Sequence, residues 1–102
     1  MTENYGLKLD QINAISQCFA KYPAITKVML YGSRAKGNYK NGSDIDLTIM
    51  NSDLSPSDLS RLENDLDDLL LPYKIDLSII TKIQNVELLK HIERVGKLFF
   101  ER

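Results

Sequence analysis

"MLYGSRAKGNYKNGSDIDLTIM", residues 29–50, is the stretch that decides the fold. It starts apolar, breaks at Gly32 into a small basic loop, and resumes at Asp44 in strict alternation. Residues 26–32 are short, apolar and β-rich, so they read as a buried strand closed by glycine. Residues 33–37 have room for a helical turn or two, and 38–43 carry turn chemistry centred on Asn41-Gly42. Residues 44–50 read as a second strand. The connection is too short for an ordinary parallel crossover, so these two strands are expected to run antiparallel.

Helices flank this unit. Leu9, Ile12, Ile15 and Phe19 recur at helical spacing between Leu7 and about Tyr22, and Pro23 closes that segment. Downstream, Ser55 is placed as an N-cap with Pro56 at the first helical position, and Leu54 and Leu59 suit a hydrophobic staple. Leu59, Leu62, Leu66 and Leu69 or Leu70 form the buried stripe, with Pro72 as the stop. Residues 73–80 alternate as a third strand. Residues 85–100 read as one last helix capped by Asn85, with Leu88, Leu89, Ile92 and Val95 inward. The expected class is α/β (α+β): a small mixed sheet of three strands, helices on one face, the other face open.

The 102 residues suit a single domain, 1–102, with 43% apolar and 26% charged residues as in ordinary folded chains. A net charge of −1 provides no global field to attract nucleic acid or an anionic membrane. The tyrosines are scattered, so an aromatic nucleic-acid platform is not expected. No apolar run reaches the ~18 residues of a membrane span, and the N-terminus lacks a signal peptide's layout. The lone cysteine, Cys18, reads as a buried hydrophobe in a reducing compartment, so a cytoplasmic location is expected.

Period-two alternation sorts the strand residues into faces. Ile45, Leu47 and Ile49 share one face, and Asp44, Asp46 and Thr48 the other. The third strand repeats this, with Ile75, Leu77 and Ile79 opposite Asp76 and Ser78. If the aliphatic faces meet the helices, three carboxylates emerge together on the other side. Such a cluster is self-repelling unless a hard divalent cation, Mg²⁺ or Mn²⁺, neutralises it. Gly32 and Ser33 end the first strand and open a helical turn, which suits an anion. Arg34, Lys36 and Lys40 add positive charge nearby. The bland reading is a solvated sheet face with ordinary surface charges.

Gly32-Ser33, ten residues, Asp44-x-Asp46 and a later Asp76 resemble the nucleotidyltransferase signature of the DNA polymerase β superfamily. Four fixed positions at ordinary usage arise by chance in roughly one such chain per thousand. The fuller string "GSRAKGNYKNGSDIDL" is similar to the minimal nucleotidyltransferases, small prokaryotic proteins that accompany HEPN-domain toxins. The resemblance implies that Asp44, Asp46 and Asp76 are catalytic and ligate two Mg²⁺ ions. It implies that Gly32 and Ser33 hold the β/γ-phosphates of a nucleoside triphosphate, with Arg34 as a further nucleotide-binding position. It implies transfer of an NMP, with ATP the favoured donor, to a hydroxyl such as a tyrosine of a HEPN toxin, which makes the chain an antitoxin. The alternative is a non-catalytic antitoxin or nucleotide-binding module that acts by occlusion.

The remaining features have plain readings. His91 is read as a surface residue, and Glu63, Asp65, Asp67 and Asp68 as a solvated helix face. Tyr31 and Tyr39 lie near enough to the loop to stack on a base. Leu98, Phe99 and Phe100 either finish the core or mark a homodimer or partner surface. Glu101 and Arg102 read as a tail.

Overall fold

The computed structural model describes residues 4–50 and 54–102. In chain order it contains α1 (Leu9–Ala20), β1 (Lys27–Tyr31), α2 (Gly32–Lys36), β2 (Ile45–Ile49), α3 (Pro56–Asp67) and β3 (Ile75–Ile79). A 3₁₀ turn (Ile80–Lys82), α4 (Val86–Val95) and β4 (Lys97–Glu101) complete it. The sheet order is β3-β2-β1-β4. β1 runs antiparallel to β2 and β4, while β2 and β3 are parallel. The mixed α/β class and the antiparallel β1–β2 pair are as the sequence predicts.

Sequence periodicity explains the core. Val28 and Leu30 of β1, Ile45, Leu47 and Ile49 of β2 and Ile79 of β3 pack with Ile15, Cys18 and Phe19 of α1 and with Leu62 and Leu66 of α3. Burial pushes the Cys18 thiol above its ordinary value, as an inert core cysteine requires. The helix starts follow their caps. Ser55 Oγ accepts from the Asp58 N–H at 3.1 Å, and Asn85 Oδ1 accepts from the Leu88 N–H at 3.1 Å. Leu54 is buried and Leu59 half-buried in this same core. Of the two leucines after α3, Leu69 packs inward, while Leu70 adopts φ 54° and is 87% exposed. Leu9 is also exposed, and Leu7, just ahead of the helix, takes the buried place instead.

The C-terminal segment departs from the sequence expectation. The last helix stops at Val95, Gly96 turns the chain, and Lys97–Glu101 adds a fourth strand alongside β1. Glycine fits because a Cβ there would crowd the Ile92 carbonyl and the Met29 methyl. The register jumps from Met29↔Leu98 to Val28↔Phe100, which makes Phe99 the extra residue of a β-bulge. Both phenylalanines then reach Phe19, with ring centroids 6.5 Å away for Phe99 and 5.8 Å for Phe100. They finish the core, and only Leu98 of the three stays exposed.

Arg102 is no loose tail. Its backbone N–H donates to the Thr26 carbonyl, and its guanidinium donates to the carbonyls of Phe19, Ala20, Tyr22 and Ile25. A cation thus sits at the C-terminal carbonyls and negative dipole end of α1. Arg102→Ala is expected to cost about 1–3 kcal/mol, seen as a lower urea midpoint with an unchanged m-value.

The second face of the sheet is narrower than expected. α4 lies against β1 and α2 on that side and covers Tyr31, which meets His91 of the helix. Among the described residues no helix is long and apolar enough to cross a membrane.

Candidate active site

The parallel β2–β3 register sets Asp46 directly beside Asp76, and the antiparallel β1–β2 register sets Tyr31 beside Asp46 on its other flank. All three side chains belong to the face opposite the aliphatic core. Asp44 lies just before β2, exposed, and Asp76 is exposed on the edge strand. Asp46 is half-buried. Its carboxyl is pushed up to about 6, first by burial and then by the charges of Asp76 and Asp44. The three acids therefore share one electrostatic neighbourhood, as the alternation predicts.

Gly32 is fixed by this carboxylate. It adopts φ 77°, a left-handed conformation, and a Cβ built on it would collide with Asp46 Oδ2. Only glycine lets the backbone pass so close to the acid. The turn that carries Ser33 is thereby seated against the Asp46 side chain. Lys36 and Lys40 are exposed on the same loop. A hard cation suits this donor set: oxygen ligands only, an acid whose ionised form is disfavoured without positive charge, and a backbone pressed against it. Among the described residues, however, no three acidic, histidine or cysteine side chains stand close enough together to enclose an ion as they are.

Arg34 requires a correction. It is 2% exposed and faces inward. Its Nε and Nη2 donate to the Ser43 carbonyl at 3.2 and 2.9 Å, Nη1 to Tyr5 O at 2.8 Å, and Nη2 also to Asn41 O at 3.4 Å. The rings of Tyr73 and Tyr39 lie 4.7 and 5.2 Å from its guanidinium carbon. Four of its five N–H hydrogens go to backbone carbonyls, so it ties down the loop from inside instead of standing free beside Ser33. Tyr31 is buried against α4, so its ring is not presented to a base, while half-buried Tyr39 carries the guanidinium on its ring.

His91 also differs from its sequence reading. The Gly32 N–H donates to His91 Nε2 at 3.0 Å, and the imidazole meets the Tyr31 ring edge-on, with centroids 6.2 Å apart. The Tyr31 hydroxyl has its pKa raised chiefly by burial, an effect that Ser78 opposes and that Asp76 and Asp46 add to. His91 is thus linked through Tyr31 to the carboxylate face. A signal was present in the sequence: Leu88, His91 and Val95 follow helical spacing on the half-buried side of α4. Among the described residues, Thr48 Oγ1 on this face is fully buried with no hydrogen-bond partner, a cost of about 1–3 kcal/mol.

The family profile described as polymerase β nucleotidyltransferase matches residues 13–102, nearly the whole chain. The chain belongs to that family. No significant match exists among the curated proteins compared with it. Solved structures of similar fold include a toxin–antitoxin complex with AMP-PNP, at TM-score 0.70 and 22% identity, covering 89% of this chain and 73% of that one. Another is a complex of the tri-AMPylated Shewanella oneidensis HEPN toxin with its MNT antitoxin, at TM-score 0.68 and 19% identity, covering 94% and 74%. A third is the MntA–HepT toxin–antitoxin complex, at TM-score 0.66 and 20% identity, covering 93% and 74%. At these identities the likeness shows a shared nucleotidyltransferase fold.

Two outcomes follow for this nucleotidyltransferase domain. The folded-state pKa of Asp46 lies above its ordinary value of 3.8, so the native state binds the proton more tightly than the unfolded chain. Stability attributable to this group therefore falls as pH rises from about 4 to 6, and the penalty persists above that. Asp46→Asn is expected to stabilise the fold at pH 8 by roughly 1–3 kcal/mol, and hardly at all at pH 4, by urea denaturation at both values. Arg34→Lys cannot reproduce the planar fork and is expected to cost about 2–4 kcal/mol, while Lys36→Ala leaves the denaturation midpoint unchanged.

Proposed function

We propose that this nucleotidyltransferase domain moves AMP from ATP to a tyrosine hydroxyl of a HEPN-domain toxin and so silences it as an antitoxin in the cytoplasm. The observation that carries the reading is the in-register Asp46–Asp76 pair set against Gly32, with Asp44 in the same field. The likeness to toxin–antitoxin complexes, one holding AMP-PNP and one an AMPylated HEPN toxin, supports the choice of nucleotide and acceptor.

Asp44, Asp46 and Asp76 would hold Mg²⁺, or Mn²⁺, in up to two positions. Such ions, when bound, supply positive charge for the entering and leaving oxygens of a phosphoryl transfer. The Gly32-Ser33 turn receives the β/γ-phosphates, and Lys36 and Lys40 add attraction from the exposed side of the loop. The acceptor oxygen attacks the α-phosphorus in line, forming a new P–O bond as the bond to the bridging oxygen breaks and pyrophosphate leaves. Asp76, exposed at the sheet edge, would take the hydroxyl proton. The raised pKa of Asp46 serves this arrangement: cation binding and ionisation of Asp46 favour one another.

Incubation with each α-labelled nucleoside triphosphate, Mg²⁺ and the HEPN-domain protein encoded beside it tests the reading. Label is expected on the HEPN protein, strongest from ATP, and reduced at least 100-fold by Asp44→Asn/Asp46→Asn. A doubly substituted protein that still binds and silences the toxin, with no label transferred by the parent, would make this an occluding antitoxin.

A further inference from the structure

The same hydrogen that the proposed phosphate seat requires is already in use. The Gly32 N–H points at His91 Nε2, 3.0 Å away, across 59 positions of sequence. An amide has one hydrogen, and an imidazole nitrogen accepting it presents a lone pair. A phosphate oxygen at the same amide would face that lone pair at contact distance, anion against acceptor. The two occupants exclude one another.

The setting of α4 fits a part that can give way. Ile92 is its only fully buried side chain. Between the helix and the sheet opens a largely apolar groove of about 340 Å³, lined by Met29, Met50, Ile80, Leu89 and Ile92 with Glu93 at its side. Flexible methionines and unfilled volume beneath a helix allow small displacements that a close-packed interface would resist. The imidazole itself is half-buried and held by one hydrogen bond and the edge of Tyr31.

We propose that His91 is an internal plug on the phosphate seat: its Nε2 holds the Gly32 N–H until a nucleoside triphosphate displaces it. The inference rests on the reading that the Gly32-Ser33 turn receives phosphate. While the site is empty the plug satisfies a backbone donor beside Asp46 and keeps the glycine turn in its left-handed conformation. On nucleotide entry the amide exchanges one acceptor for another, and α4 registers the change. Nucleotide occupancy is thereby coupled to a helix on the carboxylate face, where an acceptor protein would approach.

His91→Phe keeps a ring against Tyr31 and removes the acceptor. Titration calorimetry with ATP and Mg²⁺ is expected to give two- to tenfold tighter binding for this variant, the reach of one net hydrogen bond. Unchanged or weaker binding in a folded His91→Phe protein would overturn the plug. In the wild-type protein, the ¹⁵N shift of His91 Nε2 is expected to move on ATP addition as its hydrogen bond is lost, and no movement at saturation would equally overturn it. Ser33→Ala separates the two levels. Binding weakened by Ser33→Ala but indifferent to His91→Phe removes the plug alone. No binding by wild type or His91→Phe removes the phosphate seat and the plug with it.

Discussion

One buried cation organises the molecule. Arg34 has surrendered its hydration, and among the described residues carbonyl oxygens and two tyrosine rings receive it in place of a carboxylate. An uncompensated buried charge costs several kcal/mol, so every one of those partners must stay in place. They come from the segment before α1, from the loop between β1 and β2, and from Tyr73 ahead of β3. The guanidinium thus fastens three stretches of chain around the glycine turn. Asp46 is then met by backbone at a fixed approach, and the carboxylate face inherits its geometry from a residue that never reaches it.

The site is assembled at the expense of the fold. Asp46 is half-buried beside two other acids, Gly32 is held in a conformation few residues accept, and Thr48 is buried without a partner among the described residues. All three lie on the side of the sheet away from the main core. The opposite face, with Phe19, Ile15, Leu30, Leu47 and Leu62 fully buried, supplies the surplus that tolerates them. Strain collected on one face and relieved on the other is the usual signature of a functional surface.

Much of this was legible in one dimension. Alternation in "DIDLTIM" and "YKIDLSII" assigned each aspartate to its face, because a strand's period of two leaves no other choice. Ser55 and Asn85 announced their helices through local capping chemistry. Arg34, His91 and Arg102 escaped because their partners are set by tertiary approach, up to 83 positions away for the guanidinium of Arg102. β4 escaped for a different reason. "VGKLFF" continues an apolar helical pattern if Gly96 is read through, and the bulge at Phe99 breaks the alternation that would have marked a strand. The carboxylate strands keep their openness, with Asp44 and Asp76 exposed, while the shorter α4 packs back across β1.

The position of β4 has a consequence for how the chain assembles. β1 lies inside the sheet, yet its two neighbours arrive on different schedules. β2 follows it through a short loop, whereas Lys27 pairs with Glu101 at the far end of the described chain. Closing a long loop carries more entropy cost than closing a short one, so the β1–β2 hairpin and its glycine turn form early and the outer strand zips onto β1 late. Until it does, β1 presents a bare, apolar edge able to pair with another molecule. The glycine turn beside Asp46 belongs to the early half, and protection from aggregation to the late one.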